Sequence, residues 1–460
     1  MSQLMVSISG VRGVVGSSLT PEVIVRYTSA FARYVNHDSV VVGWDGRKTG
    51  KWIESLVCAA LEATGTKVIA LGVVPTPTVQ LAVELLRAAG GIVITASHNP
   101  IEWNGLKFIG REGLFLDENE SKVFWSIVDS PGQFYASWDK TGSSRVEENF
   151  IDMHIKRVLA LPYIDAQQIR QRRFRIAVDC VNASGVYAVP KLLKELGCTV
   201  YPVNCEPTGI FSHMPEPLPE NLSELCETVV ARGADLGIAV DPDADRLVLI
   251  MENGKPFGEE YTVTAAARFI LRKLGGAGKK VVVNLSTTRA IEDVAKLFGA
   301  EVERTKVGEI HVARRMKEIS AIIGGEGNGG VILPAVHYGR DSLAGIALIL
   351  QELTEFGGTL SAYRRTLPEY AIVKRRQACS GVNLEHVMDH FQRSLRASPD
   401  VRINTLDGFR IDFPDGWVHF RKSNTEPILR LIAEARTLQE ANALADQITA
   451  QISDILISER

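Results

Sequence analysis

A chain of 460 residues has the length for three or four domains with several buried cores. Its charged fraction is 23% and its formal net charge is -3, which excludes a basic field of the kind that holds nucleic acid. No hydrophobic run approaches the roughly 18 to 20 residues that span a bilayer, and the six scattered cysteines, with no CxxC pair or zinc spacing, suit a reducing compartment.

In chain order, Val40-Val41-Val42 leads through a helical stretch to Gly65-Thr66-Lys67-Val68-Ile69. The buried strand Gly91-Ile92-Val93-Ile94 then ends at Thr95-Ala96-Ser97-His98-Asn99-Pro100, and Glu147 to Leu161 reads as a helix. The pattern recurs from Ile176-Ala177-Val178 to Gly197-Cys198-Thr199-Val200-Tyr201, followed by Leu236 to Val240 and the loop Asp241-Pro242-Asp243-Ala244-Asp245-Arg246. A strand-like run, Leu247 to Met251, and a hairpin-like turn, Met251 to Lys255, close this second unit. It recurs again from Val281-Val282-Val283 to Gly299-Ala300-Glu301-Val302, then Ala321-Ile322-Ile323 and Gly325-Glu326-Gly327-Asn328-Gly329-Gly330, with a helix predicted over Asp341 to Phe356. Strand, helix, Gly, strand is the signature of a right-handed crossover onto a parallel sheet. Residues 371 to 460 differ: a helix over Asn383 to Ala397, strands at Asp407 to Phe413 and Trp417 to Arg421 about a Pro414-Asp415-Gly416 turn, and a last helix from Leu438 predict an antiparallel sheet covered by helices.

The expected fold class is α/β: three similar α/β domains with mixed, largely parallel sheets, plus a smaller C-terminal α+β domain, around a central cleft. The expected boundaries are 1–155, 156–256, 257–368 and 369–460. In open α/β sheets ligands gather outside the carboxyl ends of strands, so equivalent loops from similar units converge on one cleft. A secretory signal is not expected, because Met1 to Gly16 lacks a basic segment followed by an apolar one; the expected location is cytoplasmic.

Each loop has its own chemistry. A serine such as Ser97 can carry a phosphoryl group, and His98 is placed to position it. Ser97 lacks the Gly-x-Ser-x-Gly elbow of a hydrolase. The Asp241, Asp243, Asp245 loop, with Glu252 further on, superficially suggests an EF-hand, but Arg246 stands where that loop needs glycine and both flanks read as strands. Three alternating carboxylates beside an arginine fit Mg²⁺ in phosphoryl transfer. Glu326 and Asn328, framed by glycines, suit close approach to hydroxyl groups. Arg421-Lys422-Ser423-Asn424-Thr425-Glu426-Pro427 suits a phosphate dianion.

Together these residues resemble the α-D-phosphohexomutase superfamily, from Ser9-Gly10-Val11-Arg12-Gly13 to the Arg421 loop, with about one motif per domain. The resemblance implies an isomerase that moves phosphate between O1 and O6 of a hexose through an enzyme phosphoserine and a hexose 1,6-bisphosphate, which also serves as activator. It implies Ser97 as the phosphoserine, and one Mg²⁺ per chain on Asp241, Asp243, Asp245 and the Ser97 phosphate. It assigns Arg12 and Arg246 to the transferred phosphoryl group and Lys107 to acid/base or charge stabilisation. Glu326 and Asn328 would read sugar hydroxyls, Lys306 and Gly308 would line the sugar pocket with His311 nearby, and Arg421, Ser423, Asn424 and Thr425 would hold the phosphate that is not reacting. The implied partner is a small sugar phosphate, and the chain would be a monomer or homodimer.

Many members acting on phosphoglucosamine or phosphomannose carry Ser-Gly-His after the loop glutamate, whereas this chain has Asn328-Gly329-Gly330. That variant and Trp103-Asn104 are similar to prokaryotic phosphoglucosamine or phosphomannose mutases, and the reading favours conversion of glucosamine 6-phosphate to glucosamine 1-phosphate. The alternatives are a mannose or glucose phosphate mutase and, in a different class, a catalytically silent sugar-phosphate-binding protein. A phosphatase has no need of a second phosphate clamp such as the Arg421 loop.

Overall fold

The computed structural model describes residues 3–132, 134–378, 384–395, 400–422 and 428–457. Its strands form four separate sheets. The first has seven strands in the order Met5–Ser7, Gly10–Val14, Trp103–Gly110, Gly90–Ile94, Val40–Trp44, Val68–Val73 and Ser144–Val146. Val40–Trp44 runs parallel to both neighbours, as the crossover pattern predicts. Covered on both faces, Val40, Val41 and Val42 have no solvent exposure, which is why this strand reads as an unbroken apolar run rather than an alternating one.

The second sheet has the order Leu247–Met251, Leu236–Val240, Arg175–Asp179, Thr199–Val203. The third has the order Glu301–Thr305, Lys280–Asn284, Ile323–Glu326, Gly330–Ile332. In all three units the strand that ends at a candidate loop is followed by an antiparallel partner: Trp103–Gly110, Leu247–Met251 and Gly330–Ile332. The three loops are therefore connections between antiparallel strands, held at both ends by sheet hydrogen bonds. The second and third units share a continuous core that includes Ile238, Val263, Val283 and Leu348.

Helix ends differ from the predicted ones by a few residues. The helix expected from Glu147 spans Phe150–Leu159, and the C-terminal domain's first helix spans Leu384–Leu395. The helix expected from Asp341 spans Ser342–Phe356, with Asp341 outside it as the cap, its Oδ1 accepting from the amides of Leu343 at 2.9 Å and Ala344 at 3.2 Å. The fourth sheet, Ala371–Ala378, Ile428–Ala435, Gly416–Lys422, Phe409–Asp412 and Arg402–Asn404, is wholly antiparallel. Val387, Phe391, Ile448 and Ile452 from its two helices pack onto Phe409, Phe420 and Leu431. Among the described residues no helix is long and apolar enough to cross a membrane.

The fourth domain docks on the loop after Lys280–Asn284. His419, 1% exposed, accepts from Ser286 Oγ at Nδ1 (2.9 Å) and donates from Nε2 to the Asp407 carbonyl (2.6 Å). Burial holds its pKa down at about 4, below the usual 6.5. The unfolded chain therefore takes up this proton first, so stability is fully present above the ordinary histidine range and is lost as pH falls toward about 4. Over that window the loss is about 3 kcal/mol. Denaturant unfolding of wild type and His419→Gln across this range is expected to show a shallower acid dependence in the variant; equal slopes would refute it.

Candidate active site

The first loop is built around a buried ion pair. Asp45 follows Val40–Trp44, and its Oδ2 accepts from Thr95 Oγ1 at 2.6 Å and from Arg47 Nε at 2.9 Å. Thr95 Oγ1 in turn accepts from the Ser97 amide at 2.8 Å. Arg47, with no solvent exposure, donates to the carbonyls of Ser97 (2.5 Å), Asn99 (2.9 Å), Pro100 (2.9 Å) and Trp103 (3.1 Å). One guanidinium thus folds the loop around itself, with the Phe211 ring 4.7 Å from its carbon. Removing it by Arg47→Met leaves Asp45 buried and unpaired, and is expected to destabilise the protein by about 3–5 kcal/mol in denaturant unfolding. A loss below about 1 kcal/mol, the range of an exposed pair, would count against this role.

Held this way, Ser97 takes a left-handed backbone conformation, φ 51°, and is 2% exposed. Its Oγ lies 3.2 Å from His98 Nδ1 and donates to Asp241 Oδ2 at 3.3 Å. Arg12, on Gly10–Val14, donates to the Ala96 carbonyl at 3.4 Å and to Asn99 Oδ1 at 3.1 Å. Arg246 donates to His98 Nδ1 at 3.0 Å and to Glu216 Oε1 at 3.2 Å. Burial, then the charges of Arg246 and Arg12, hold the His98 pKa well below its usual value, so the ring is neutral.

The aspartate loop divides the oxygens of each carboxylate between protein and open position. Asp241 Oδ1 accepts from the amides of Asp245 and Arg246, both at 3.1 Å, while its Oδ2 meets Ser97. Asp243 Oδ2 accepts from Lys107 Nζ at 2.6 Å and Thr76 Oγ1 at 2.7 Å, and Asp245 Oδ2 from Arg340 Nη2 at 2.5 Å. The other oxygens, Asp243 Oδ1 and Asp245 Oδ1, are buried without a hydrogen-bond partner. One ligand atom from each aspartate can be chosen with all three within 4.8 Å of one another. Three buried carboxylates gathered this closely, two of them with an oxygen that lacks a hydrogen-bond partner, fit the donor set of a hard divalent cation. Burial and then the charges of Asp245 and Asp243 push the Asp241 pKa well above the usual range. Burial also pushes Asp243 upward, but Lys107 and Thr76 outweigh it and hold that carboxyl below the usual range.

The third loop meets this cluster through Arg340. Glu326 Oε1 accepts from Asn284 Nδ2 at 2.7 Å and the Gly308 amide at 2.9 Å, and Oε2 accepts from Arg340 Nη1 at 2.8 Å. Asn328 keeps a buried side-chain oxygen without a partner. Gly329, at φ 90°, lets the loop backbone meet the metal-loop hairpin: the Leu247 amide donates to its carbonyl at 2.9 Å, and a Cβ there would lie 2.6 Å from the Leu247 carbonyl. Lys306 pairs with Glu118 of the first domain at 2.9 Å, with His311 4.0 Å from the same carboxylate. Arg421, at the end of Gly416–Lys422, feels the charges of Asp407 and Glu326. Ser423, Asn424 and Thr425 lie outside the described residues.

The sequence reading missed Asp45, Arg47, Thr76 and Arg340, each of which holds a loop from another part of the chain. A signal existed for two of them: Asp45-Gly46-Arg47 follows a buried central strand at the same carboxyl end as the other loops. Arg340 and Thr76 have no comparable local pattern.

Three α/β units whose polar loops meet, with an α+β unit docked on the third, are an architecture that the comparisons identify as that of the phosphohexomutases, an isomerase family. Four domain families match in order: phosphoglucomutase/phosphomannomutase alpha/beta/alpha domain I over residues 4–133, domain II over 152–254, domain III over 258–370, and the C-terminal domain over 382–451. The chain belongs to the phosphoglucomutase/phosphomannomutase family. It is 38% identical over 440 residues, 95% of each chain, to a protein of Methanopyrus kandleri named "Probable phosphoglucosamine mutase". It is 37% identical over 438 residues, 94% of each chain, to a Thermococcus kodakarensis protein named "Phosphoglucomutase/phosphomannomutase". The crystal structure of a phosphoglucomutase/phosphomannomutase family protein from Burkholderia thailandensis superposes with a TM-score of 0.84 at 26% identity, covering 98% of both chains.

Proposed function

We propose that the chain interconverts glucosamine 6-phosphate and glucosamine 1-phosphate through a phosphoserine at Ser97 and a hexose 1,6-bisphosphate. The observation that carries this reading is the meeting of Ser97 Oγ with Asp241 Oδ2 at 3.3 Å, beside two orphaned aspartate oxygens. Asp241, Asp243 and Asp245 would hold Mg²⁺, which when bound offsets negative charge on the phosphoryl group. Phosphoryl transfer breaks the bond from phosphorus to Ser97 Oγ and forms one to the free sugar hydroxyl oxygen, which gives up its proton while Ser97 Oγ takes one up. The reverse step returns a phosphoryl group from the other sugar oxygen. When Ser97 is rephosphorylated its hydroxyl gives up a proton and the departing sugar oxygen takes one up; His98 Nδ1, 3.2 Å from Ser97 Oγ, already accepts from Arg246, so this histidine would position the serine rather than take its proton.

Lys107 is committed to Asp243 at 2.6 Å, which favours charge stabilisation over proton transfer. Arg12 and Arg246 flank the serine and would steady the group in transit. Glu326 would read sugar hydroxyls, Asn328 would offer them its unpartnered oxygen, and Arg421 with Ser423, Asn424 and Thr425 would hold the distal phosphate. That clamp sits on a separate domain, so either end of the bisphosphate can occupy it after the intermediate turns over.

The glucosamine substrate is supported by the name of the Methanopyrus relative, and a mannose or glucose phosphate by that of the Thermococcus relative at nearly equal identity. A silent binding protein is disfavoured by a complete serine and aspartate set. The deciding experiment is a coupled assay with Mg²⁺ and a trace of hexose 1,6-bisphosphate, offering glucosamine, mannose and glucose phosphates. The highest kcat/KM names the substrate, and no turnover of any of the three by protein phosphorylated at Ser97 would refute all of them.

A further inference from the structure

Arg340 lies two residues before the helix Ser342–Phe356 and is 8% exposed. Its guanidinium meets three carboxylates from two domains: Asp245 Oδ2 at 2.5 Å, Glu326 Oε2 at 2.8 Å and Glu309 Oε2 at 3.1 Å. The other Glu309 oxygen accepts from the Arg340 amide at 3.3 Å and from Gln80 Nε2, in the first domain, at 3.1 Å. Around one side chain, therefore, three domains meet.

The surroundings crowd that side chain. Gly330 stands beside its stem, and a Cβ there would lie 2.3 Å from Arg340 Cδ. The next residue, Asp341, donates its amide to the Val331 carbonyl at 2.8 Å and caps the helix. Asp341 Oδ2 accepts from His154 Nε2 at 2.8 Å, and His337 Nε2 lies 3.4 Å away. These two histidines and Asp341 have the composition of a metal site. The Gly339 amide, however, donates to His337 Nδ1 at 2.9 Å, which puts the ring proton on Nε2 and turns that nitrogen into a donor rather than a ligand. The cluster is a brace behind Arg340.

We infer that Arg340 is a positioning residue for phosphoryl transfer. It takes one oxygen of Asp245 and one of Glu326, so the cation-facing carboxylate and the sugar-facing carboxylate are set relative to each other by a single rigid fork, and Asp245 Oδ1 is left for the cation. The inference rests on the reading of Asp241, Asp243 and Asp245 as the cation site. Lysine keeps the charge but is a point donor, and cannot reproduce a planar fork that spans both carboxylates.

The test uses the full chain with Arg340→Lys, and with Arg340→Met combined with Glu309→Gln so that a lost cation is matched by a lost carboxylate. Circular dichroism and denaturant unfolding establish that each variant is folded. Mn²⁺ binding, read as free ion by electron paramagnetic resonance, is then measured separately from kcat and KM. Arg340→Lys is expected to bind Mn²⁺ about tenfold more weakly, with a lowered kcat and a raised KM. A folded variant with wild-type Mn²⁺ affinity, kcat and KM would overturn the inference. Weaker Mn²⁺ binding in the variant supports it even if none of the three sugar phosphates turns over, a result that counts against the substrate reading alone. If the wild type itself binds no Mn²⁺, the cation reading falls and this role of Arg340 falls with it.

Discussion

Ser97→Ala is expected to abolish isomerisation, lowering kcat by about 10⁴-fold or more, because the proposed mechanism carries the phosphoryl group on this oxygen. The fold should be unaffected. Alanine also has a Cβ and meets the same left-handed backbone as serine, while the contacts that shape the loop run through the Ser97 amide and carbonyl rather than its hydroxyl. Apart from the Ser97 hydroxyl on Asp241 Oδ2, the aspartate oxygens keep their partners, so Mn²⁺ binding by the unphosphorylated variant should stay close to that of unphosphorylated wild type. Mass spectrometry of protein incubated with the bisphosphate should find a phosphoryl group on wild type and none on the variant. A variant retaining more than about a tenth of the rate would remove Ser97 from the mechanism, since a true nucleophile contributes orders of magnitude more.

The second large effect separates function from stability. Asp241→Asn keeps an oxygen for the amides of Asp245 and Arg246, yet replaces the charged oxygen near Ser97 with an amide group. On the proposed cation site this removes one of three anionic donors, and kcat is expected to fall by more than about 100-fold, beyond the range of an outer-shell partner. Metal-free protein should respond in the opposite sense. Without a cation, three buried carboxylates repel one another, and Asp241 bears both burial and the fields of Asp243 and Asp245. Removing its charge relieves that repulsion, so the melting temperature in EDTA should rise above that of wild type while the stabilisation given by Mg²⁺ disappears. A variant that melts lower in EDTA would mean that the carboxylate is held by partners rather than kept for a cation.

The strands and their loops were legible because burial on both faces leaves an unbroken apolar run, and glycine and aspartate punctuate it. Val40-Val41-Val42 and Leu236 to Val240 carry that signal within five letters. The antiparallel return strand Trp103–Gly110 was not read as a strand, although Lys107 on it was singled out, because its pattern is interrupted by Asn104, Gly105 and Lys107. Asn104 donates to Thr49 Oγ1 at 2.9 Å, Gly105 leaves room for the Val11 and Thr95 carbonyls, and Lys107 reaches Asp243. Arg47 and Arg340 were not assigned roles for a related reason. An arginine that organises a site takes its meaning from carbonyls and carboxylates tens of residues away; the local sign for Arg47 was only its place just after a buried strand, and Arg340 had none. The partners of Arg47 at Ser97 and Trp103 lie 50 and 56 residues along the chain, and Asp245 lies 95 residues from Arg340.

The left-handed backbone at Ser97 bears on how such a protein could lose its activity unnoticed. A residue with a Cβ sits there at a disadvantage of about 1–2 kcal/mol, and Ser97→Gly would relieve it against about 0.4–1 kcal/mol of added freedom in the unfolded chain. Deleting the reacting hydroxyl is therefore nearly neutral for folding, or mildly favourable. A screen for expression or thermal tolerance would pass such a variant, and a catalogue of damaged proteins sorted by stability would miss it. Packing does not call for serine at this position; the oxygen nucleophile of the proposed mechanism does.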